Sequence, residues 1–148
     1  MDNIEFTYTF GMDQDEIEDR LRANRTGVLS LARDGEAYAI PLAHYYDGEN
    51  IYFRLGEHEG SEKLTFADAT ETATYIIYEG DPPEASWSIF VKGTLERLSG
   101  EEAAAFDATV INETFIPLRV FGESIDDLEP AMFRLSVEEL TGRRTEEA

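Results

Sequence analysis

The chain has 148 residues, of which 32 are acidic and 12 are basic, so its formal net charge is −20. A chain of this length forms one hydrophobic core, and 42% hydrophobic with 11% aromatic residues is enough to close it. The absence of cysteine excludes disulfides, thiolate catalysis and cysteine-ligated metal centres. The charge disfavours nucleic acids and anionic membranes as partners, because both are bound through clustered cations.

The acidic surface is also short of lysine, since only Lys63 and Lys92 stand beside ten arginines. This composition is typical of an extreme halophile, in which molar salt screens like-charge repulsion over a Debye length of about 3 Å. An acidic mesophilic protein is the alternative. The first residues lack the basic flank and apolar run of a signal peptide, and no stretch is long enough to span a membrane. We therefore expect a cytoplasmic protein.

The first predicted element is a helix that begins after Asp13 and ends near Asn24. Glu16 lies three residues after Asp13, which is the spacing of a capping box. Beyond this helix the pattern changes to short β-rich runs separated by turn signals. The further predicted elements are strands at 27–32, 37–46 and 51–54, a helix from Ser61, strands at 72–78 and 87–96, a helix over 99–110 and a last strand at 132–138.

Two residues mark irregular points in these strands. Pro41 cannot donate to a β-ladder, which predicts an edge, a bulge or a contact with a ligand. Gly93 predicts a bend or bulge in the long strand. Six or so antiparallel strands with three short helices predict a mainly β, Greek-key-like barrel. No linker divides the chain, so we expect a single domain over 1–148, with a short helical segment at 1–25 and a frayed tail at 145–148.

The junction between the third strand and the next helix gathers cations in a chain that has few. A helix N-terminus presents unpaired N–H groups, so Ser61, Lys63 and the first-turn amides could converge on a phosphate. Arg54, on the strand before the loop, could add a bidentate contact. The alternative is that Ser61 is only an N-cap and that the two cations pair with surface carboxylates. No glycine-rich nucleotide-binding signature decides between these interpretations.

The two histidines, His44 and His58, are the other chemical candidates. Their spacing matches no zinc-binding helix motif, so we predict no metal site and ordinary structural or solvated roles. His44 shares a strand face with Ile40 and Leu42, which makes it the better candidate for touching a ligand. No serine lies in a nucleophile-elbow context, and the sequence assigns no catalytic residue.

Several segments, taken in order, resemble the FMN-binding split β-barrel proteins of the pyridoxamine 5′-phosphate oxidase-like superfamily, and in particular their nitroimidazole-resistance-like branch. The resemblance covers roughly residues 25–144. The matching segments are Gly27-Val28-Leu29-Ser30-Leu31, Ala39-Ile40-Pro41-Leu42, Ile51-Tyr52-Phe53, Gly60 through Lys63-Leu64, Val91-Lys92-Gly93-Thr94-Leu95-Glu96, Phe133-Arg134-Leu135 and Thr141-Gly142-Arg143.

The resemblance implies a six-stranded antiparallel Greek-key split β-barrel that holds FMN at the interface of a homodimer. It assigns the cofactor phosphate to Arg54, Ser61 and Lys63. The flavin ring would lie against Pro41 and Leu42 and near Trp87 and Ser88. One departure is that the nitroimidazole-resistance-like pattern usually has a histidine at the position of Arg54.

The function that the resemblance implies is that of an FMN-binding flavoprotein. It would act as an oxidoreductase on a small molecule that the sequence does not identify. A deazaflavin or a haem on the same barrel is one alternative. A cofactor-free binding or regulatory dimer, in which the cations are surface residues, is the other.

Overall fold

The computed structural model of the protein describes residues 9–57, 62–106 and 129–145. In these ranges, a 3-10 turn at Pro83–Ala85 lies between the fifth and the sixth strand. None of the helices in the described ranges has the length and apolar character needed to cross a membrane. The elements are β1 Phe10–Gly11, α1 Gln14–Ala23, β2 Thr26–Arg33, β3 Glu36–Tyr46, β4 Ile51–Glu57, α2 Glu62–Ala69, β5 Thr72–Glu79, β6 Trp87–Arg97, α3 Gly100–Ala104 and β7 Glu129–Arg144.

Six of the described strands form a closed antiparallel barrel in the order β7-β4-β3-β2-β5-β6. The barrel closes because β6 also pairs with β7, from Trp87↔Arg144 to Arg97↔Phe133. The short strand β1 adds to β7 at its C-terminal end. The predicted mainly β barrel with six antiparallel strands and short helices is thus confirmed.

The barrel follows from the alternation of side chains along its strands. In β6, Trp87, Ile89, Val91 and Leu95 are buried, whereas Phe90 points outward and is 37% exposed. Successive side chains of a strand point to opposite faces, so one apolar set fills the interior. Burial of this apolar surface is the main stabilising contribution to the fold. Fully buried side chains from the other strands complete the core: Leu29, Ile40, Phe53, Tyr75, Phe133 and Leu135.

Two helices pack against the barrel through apolar residues. α1 begins as predicted, since the Asp13 carboxylate accepts a hydrogen bond of 2.9 Å from the Glu16 amide, and it buries Ile17 and Leu21. α2 packs against β2, β3, β4 and β6. Its Phe66 ring stacks on Tyr38 at 5.1 Å between ring centroids. Both helices are therefore held by the core rather than by the loops around them.

Strand β7 is longer than predicted. The prediction ended too early because a bulge interrupts the alternation of buried and exposed side chains in this strand. Opposite β7, Lys92 pairs with Glu139 but Gly93 pairs with Val137, so Glu138 has no partner in the register. Before this point the odd-numbered residues face inward, and after it Gly142 is buried instead. An extra residue in one strand reverses the phase of all later side chains. The predicted irregularity at Gly93 is confirmed, and the predicted end at residue 138 is wrong.

The helix predicted over 99–110 differs from the observed one. α3 spans only Gly100–Ala104, and the Ser99 side chain makes no capping hydrogen bond. The apolar side of this segment packs outside the barrel, where Leu98, Ala43 and Met132 form a second buried cluster. Residues 107–128 and the end of the predicted tail, 146–148, lie outside the described residues.

Candidate functional site

Strands β3 and β4 are paired over only a short distance. Their described register contains His44↔Phe53, Tyr45↔Tyr52 and Tyr46↔Ile51, whereas β3 pairs with β2 along residues 36–43. In the part of the chain that the structure describes, residues 36–43 of β3 therefore have a strand partner on one side only. Pro41 lies in this stretch, which confirms the predicted edge position for a residue without an N–H group.

Successive residues of β3 direct their backbone N–H and C=O groups to opposite sides of the strand. The His44 amide donates to the Arg25 carbonyl at 2.9 Å, on the side of β2. By alternation, the backbone groups of Ala39, Pro41 and Ala43 face the other side, where β4 has diverged. A strand edge of this kind can donate to and accept from a planar heterocycle. Ala39 and Ala43 were not predicted from the sequence, because alanine side chains carry no signal for such a role.

Arg54 lies where β3 and β4 diverge. It points to the outside of β4, is half-buried, and has Met132 as its partner on β7. On the β3 side, the position that follows the His44↔Phe53 pair is that of Ala43. The nearest cross-strand positions are thus apolar in a chain rich in carboxylates. Residue 54 is thus the first position of β4 beyond its described pairing with β3.

Lys63 is in the first turn of α2, and it is only 6% exposed. A buried ammonium is costly unless charged or hydrogen-bonding groups compensate it, and the positive end of a helix dipole adds to that cost. A phosphate bound near the first turn would interact favourably with both the ammonium and the helix dipole. Ser61, the third predicted phosphate ligand, lies outside the described residues, as does His58.

Trp87 and Ser88 occupy opposite faces of β6. Trp87 lines the interior, is 9% exposed, and has the Arg20 guanidinium 4.7 Å from its ring centroid. Ser88 points outward between Tyr78 on β5 and Arg143 on β7. From Pro41 to Ser88 the sheet runs through β2 and β5, which is three strand spacings or about 14 Å. Pro41 and Arg54 lie on the neighbouring strands β3 and β4, and Lys63 lies on α2, which packs against both strands. The Leu42 side chain, predicted to lie against a flavin ring, is instead buried in the core. Trp87 and Ser88 lie apart from these residues, on β6.

His44 is inside the barrel, and both of its ring nitrogens have partners. Nε2 donates to the Leu21 carbonyl at 3.0 Å, so Nδ1 accepts the Tyr75 hydroxyl proton at 2.7 Å. Burial raises the pKa of Tyr75 well above its usual value, which keeps this hydroxyl a donor. Burial also lowers the pKa of His44 from 6.5 to about 4. The structural role expected for His44 therefore accounts for both nitrogens, and the ring links α1 to the barrel.

The neutral His44 ring predicts a pH dependence of stability. The unfolded chain takes up a proton near pH 6.5 and the folded chain near pH 4, so the unfolded state binds more protons between these values. Stability is therefore complete above pH 6.5 and falls as the pH drops, by about 3 kcal/mol in all. We expect this loss in denaturant titrations of the wild type at pH 7, 6, 5 and 4.

The matched variant for this experiment is His44→Gln, which cannot titrate. Carboxylate titration is common to both chains, so the difference between their unfolding free energies isolates the histidine. The difference should shrink as the pH falls from 7 to 4. An equal pH dependence in the two chains would show that His44 is not held neutral in the fold.

A cavity of about 570 Å³ is present in the described part of the chain, but at the other end of α2. Its lining includes Asp68, Glu71, Glu96 and Arg97, and Arg97 is already in an ion pair of 3.1 Å with Asp68. None of the predicted site residues lines it. Three carboxylates make this cavity a poor place for an anionic cofactor, so the β3–β4 junction remains the better candidate.

Comparison with known proteins identifies the family to which the chain belongs. Residues 13–144 match the family model described as pyridoxamine 5′-phosphate oxidase. The chain belongs to this family. The match includes both halves of the candidate site, from β3 and α2 to β6 and β7. Among proteins with curated descriptions, no relative matches the sequence.

Solved structures share the fold of this pyridoxamine 5′-phosphate oxidase family member at low sequence identity. A FAD-binding protein from Mesorhizobium loti has a TM-score of 0.73 and 20% identity, covering 95% of this chain and 100% of its own. A FAD and haem binding protein from Mycobacterium smegmatis has a TM-score of 0.67 and 17% identity, covering 95% and 75%. A candidate 5-nitroimidazole antibiotic resistance protein from Bacteroides thetaiotaomicron has a TM-score of 0.64 and 18% identity, covering 94% and 91%. These likenesses support the fold.

Proposed function

We propose that this family member is an FMN-binding flavoprotein that acts as an oxidoreductase on a small molecule. The observation that carries the proposal is the divergence of β3 from β4 beside Arg54. It leaves backbone donors and acceptors of β3 open beside the strand position of an arginine, in a chain whose solved neighbours include a protein described as FAD-binding. A flavin has a planar ring with hydrogen-bonding edges and a phosphate, which are the two features that such a junction recognises.

The charge of the chain favours this junction over the rest of its surface. With a net charge of −20, an anionic cofactor is repelled almost everywhere. A phosphate site must therefore be built from cations held close together. Arg54 and Lys63 lie on β4 and on the first turn of α2, two elements that pack against each other. We assign the phosphate to these two side chains and to Ser61.

The ring is assigned to the open edge of β3. The backbone groups of Ala39, Pro41 and Ala43 would bind its polar edge, and Pro41 would lie against its face. The flavin supplies the redox chemistry, while the protein binds the phosphate, shields the ring and sets the polarity around it. No side chain of the junction is required to transfer a proton. Trp87 and Ser88, about 14 Å away, would belong to the site of a second copy in a homodimer.

Three cofactors other than FMN compete for the same barrel. FAD shares the flavin and phosphate of FMN, and three solved neighbours are described as binding it. Haem is the second, because the Mycobacterium smegmatis neighbour is described as binding FAD and haem. Deazaflavin is the third. The two phosphate-binding cations favour a phosphorylated flavin over haem.

A titration of flavin-free protein at molar salt tests the proposal. We expect the fluorescence of FMN to be quenched when it binds to the protein, with a Kd in the micromolar range or below. The Kd values of FAD, a deazaflavin and haem are measured in parallel for comparison. Riboflavin is the matched control ligand, because it has the ring without the phosphate, and it should bind much more weakly. Equal binding of riboflavin and FMN would contradict the phosphate site, and no binding of any of these cofactors would favour a cofactor-free module.

A further inference from the structure

Tyr75 of β5 lies at the point where β3 and β4 separate, which we call the fork. The last described pair of these two strands is His44↔Phe53, and the register does not continue to Ala43 and Arg54. The centroid of the Tyr75 ring lies 5.2 Å from that of His44 and 4.8 Å from that of Phe53. All three side chains are fully buried. One ring from β5 thus packs against both members of the last pair.

The Tyr75 hydroxyl also reaches the open part of β3. It donates to His44 Nδ1 at 2.7 Å, and the Leu42 carbonyl oxygen is a second acceptor at 3.2 Å. One proton can be shared between two acceptors in this way. Leu42 lies between Pro41 and Ala43, whose backbone groups face the open side of the strand. The hydroxyl therefore contacts β3 on both sides of Ala43, the first residue of β3 beyond the fork.

Strand β2 leaves room for this contact. It separates β5 from β3 in the sheet, so the Tyr75 side chain has to pass over β2 to reach β3. A Cβ on Gly27 of β2 would lie 2.7 Å from Tyr75 Cζ and 2.8 Å from its hydroxyl oxygen. Both distances are shorter than a van der Waals contact, so a larger residue would displace the phenol. Gly27 pairs with Leu42, which places this gap beside the carbonyl that the hydroxyl reaches.

His44 orients the hydroxyl. Its Nε2 donates to the Leu21 carbonyl of α1 at 3.0 Å, so a rotation of the ring would leave buried polar groups unpaired. An unpaired buried group destabilises a fold by more than a hydrogen bond usually contributes. The positions of α1, β3 and β5 at the fork are therefore fixed by one chain of hydrogen bonds.

We propose that Tyr75, oriented by His44, is a positioning residue that fixes the point at which β3 leaves β4 and with it the backbone edge offered to a flavin ring. A strand edge recognises a planar ring only when its donors and acceptors are held in place. Within the described register, no residue of β4 pairs with 36–43 to hold them. Tyr75 acts on the ring through the backbone of β3. Its effect on the ring rests on the proposed function, whereas its effect on the fork does not.

The first experiment measures amide hydrogen exchange at the fork in flavin-free protein at molar salt. The Tyr45 amide is the reporter, because it faces β4 in the pair next to the fork. Tyr75→Phe removes only the hydroxyl, and it should accelerate this exchange by about tenfold or more, relative to the Leu31 amide of β2 in the same variant. The matched control is Tyr46→Phe, since the buried Tyr46 donates its hydroxyl to Glu18 on α1 at 3.3 Å. The control should leave the relative rate within about twofold.

The second experiment separates the ring from the phosphate by titrating riboflavin and FMN into the same variants. Tyr75→Phe should weaken both ligands by about tenfold, so that the ratio of their affinities stays constant. Arg54→Ala should instead lower the affinity for FMN alone. The visible absorption bands of bound FMN should shift in Tyr75→Phe, because the hydrogen bonds to the ring change, and a loss of global stability would not shift them. Tyr46→Phe should keep the wild-type spectrum and both affinities.

Phe53→Leu is a second variant of the fork, in case Tyr75→Phe does not fold. It loosens the packing of Tyr75 without leaving a polar atom unpaired, and it should change exchange and riboflavin binding in the same direction. Faster Tyr45 exchange together with an equal loss of both ligands supports the proposal.

Three results would overturn it: wild-type exchange of the Tyr45 amide in the fork variants, an equal acceleration in Tyr46→Phe, or faster exchange with unchanged riboflavin affinity. A wild type that binds no flavin would end the proposed function. The exchange of the Tyr45 amide would then still decide whether Tyr75 fixes the fork.

Discussion

Replacing Arg54 with Ala or Lys63 with Met is expected to weaken FMN binding by about 10- to 100-fold each. A charge-assisted hydrogen bond contributes about 1.5–3 kcal/mol, and each 1.4 kcal/mol changes Kd about tenfold. The effect should be large here, because the rest of the chain repels the phosphate. Methionine keeps the apolar volume of the buried Lys63 stem, so the loss reports on the ammonium. Fluorescence titration with FMN measures both variants.

Arg22→Ala is the matched control for these variants. Arg22 is on α1, its side chain is 52% exposed, and its loss changes the net charge of the chain by the same amount. It should leave FMN affinity within about twofold, in line with the small energies of exposed charges. Arg54→Lys should recover part of the affinity, because it restores the charge but not the bidentate geometry. Wild-type affinity in folded Arg54→Ala and Lys63→Met would move the phosphate away from the β3–β4 junction.

Gly93→Ala is expected to destabilise the barrel by about 3 kcal/mol, a large effect for one methyl group. A Cβ at this position would lie 2.0 Å from the Ser136 carbonyl oxygen and 2.8 Å from its carbonyl carbon. Both are backbone atoms of the β6–β7 ladder, so no side chain can move aside. This close approach lies at the bulge in the β6–β7 register. Urea unfolding at constant salt measures the loss.

The control is Gly80→Ala, which makes the same substitution after β5. No atom lies within 4 Å of a Cβ built there. Alanine should be neutral or slightly stabilising at Gly80, because it restricts the unfolded chain. If Gly93→Ala were as stable as Gly80→Ala, β6 and β7 would not approach as closely as the structure shows.

Much of the barrel could be predicted from local patterns. The alternation of Trp87, Ile89 and Val91 predicts β6 and the face it buries, and the Asp13 cap predicts the start of α1. The end of β7 could not be predicted in the same way. Glu138 has no partner in the register, so the alternation of inward and outward side chains, from which strands are predicted, is reversed after it. A bulge is a relation between two strands. Its position in β7 has no signal within β7 itself.

The candidate site shows the same division. Pro41 predicted an edge position because it has no N–H group to donate. Arg54 was a candidate because the chain has few cations. The contributions proposed for Ala39 and Ala43 come from their backbone groups, which the identity of a side chain does not indicate. The interior role of His44 depends on the Leu21 carbonyl and the Tyr75 hydroxyl, which only the packing of α1 and β5 brings to it. The distance between Pro41 and Ser88 likewise follows from strand order and not from spacing along the chain.

The measurement that tests the central claim most directly is the absorption spectrum of the freshly purified protein, kept at molar salt from lysis onwards. The proposal predicts a yellow protein with the two visible flavin bands, and denaturation should release FMN in an amount equimolar with the chain. A colourless protein that acquires no flavin spectrum after incubation with FMN or FAD at molar salt would contradict the claim that this barrel is a flavoprotein.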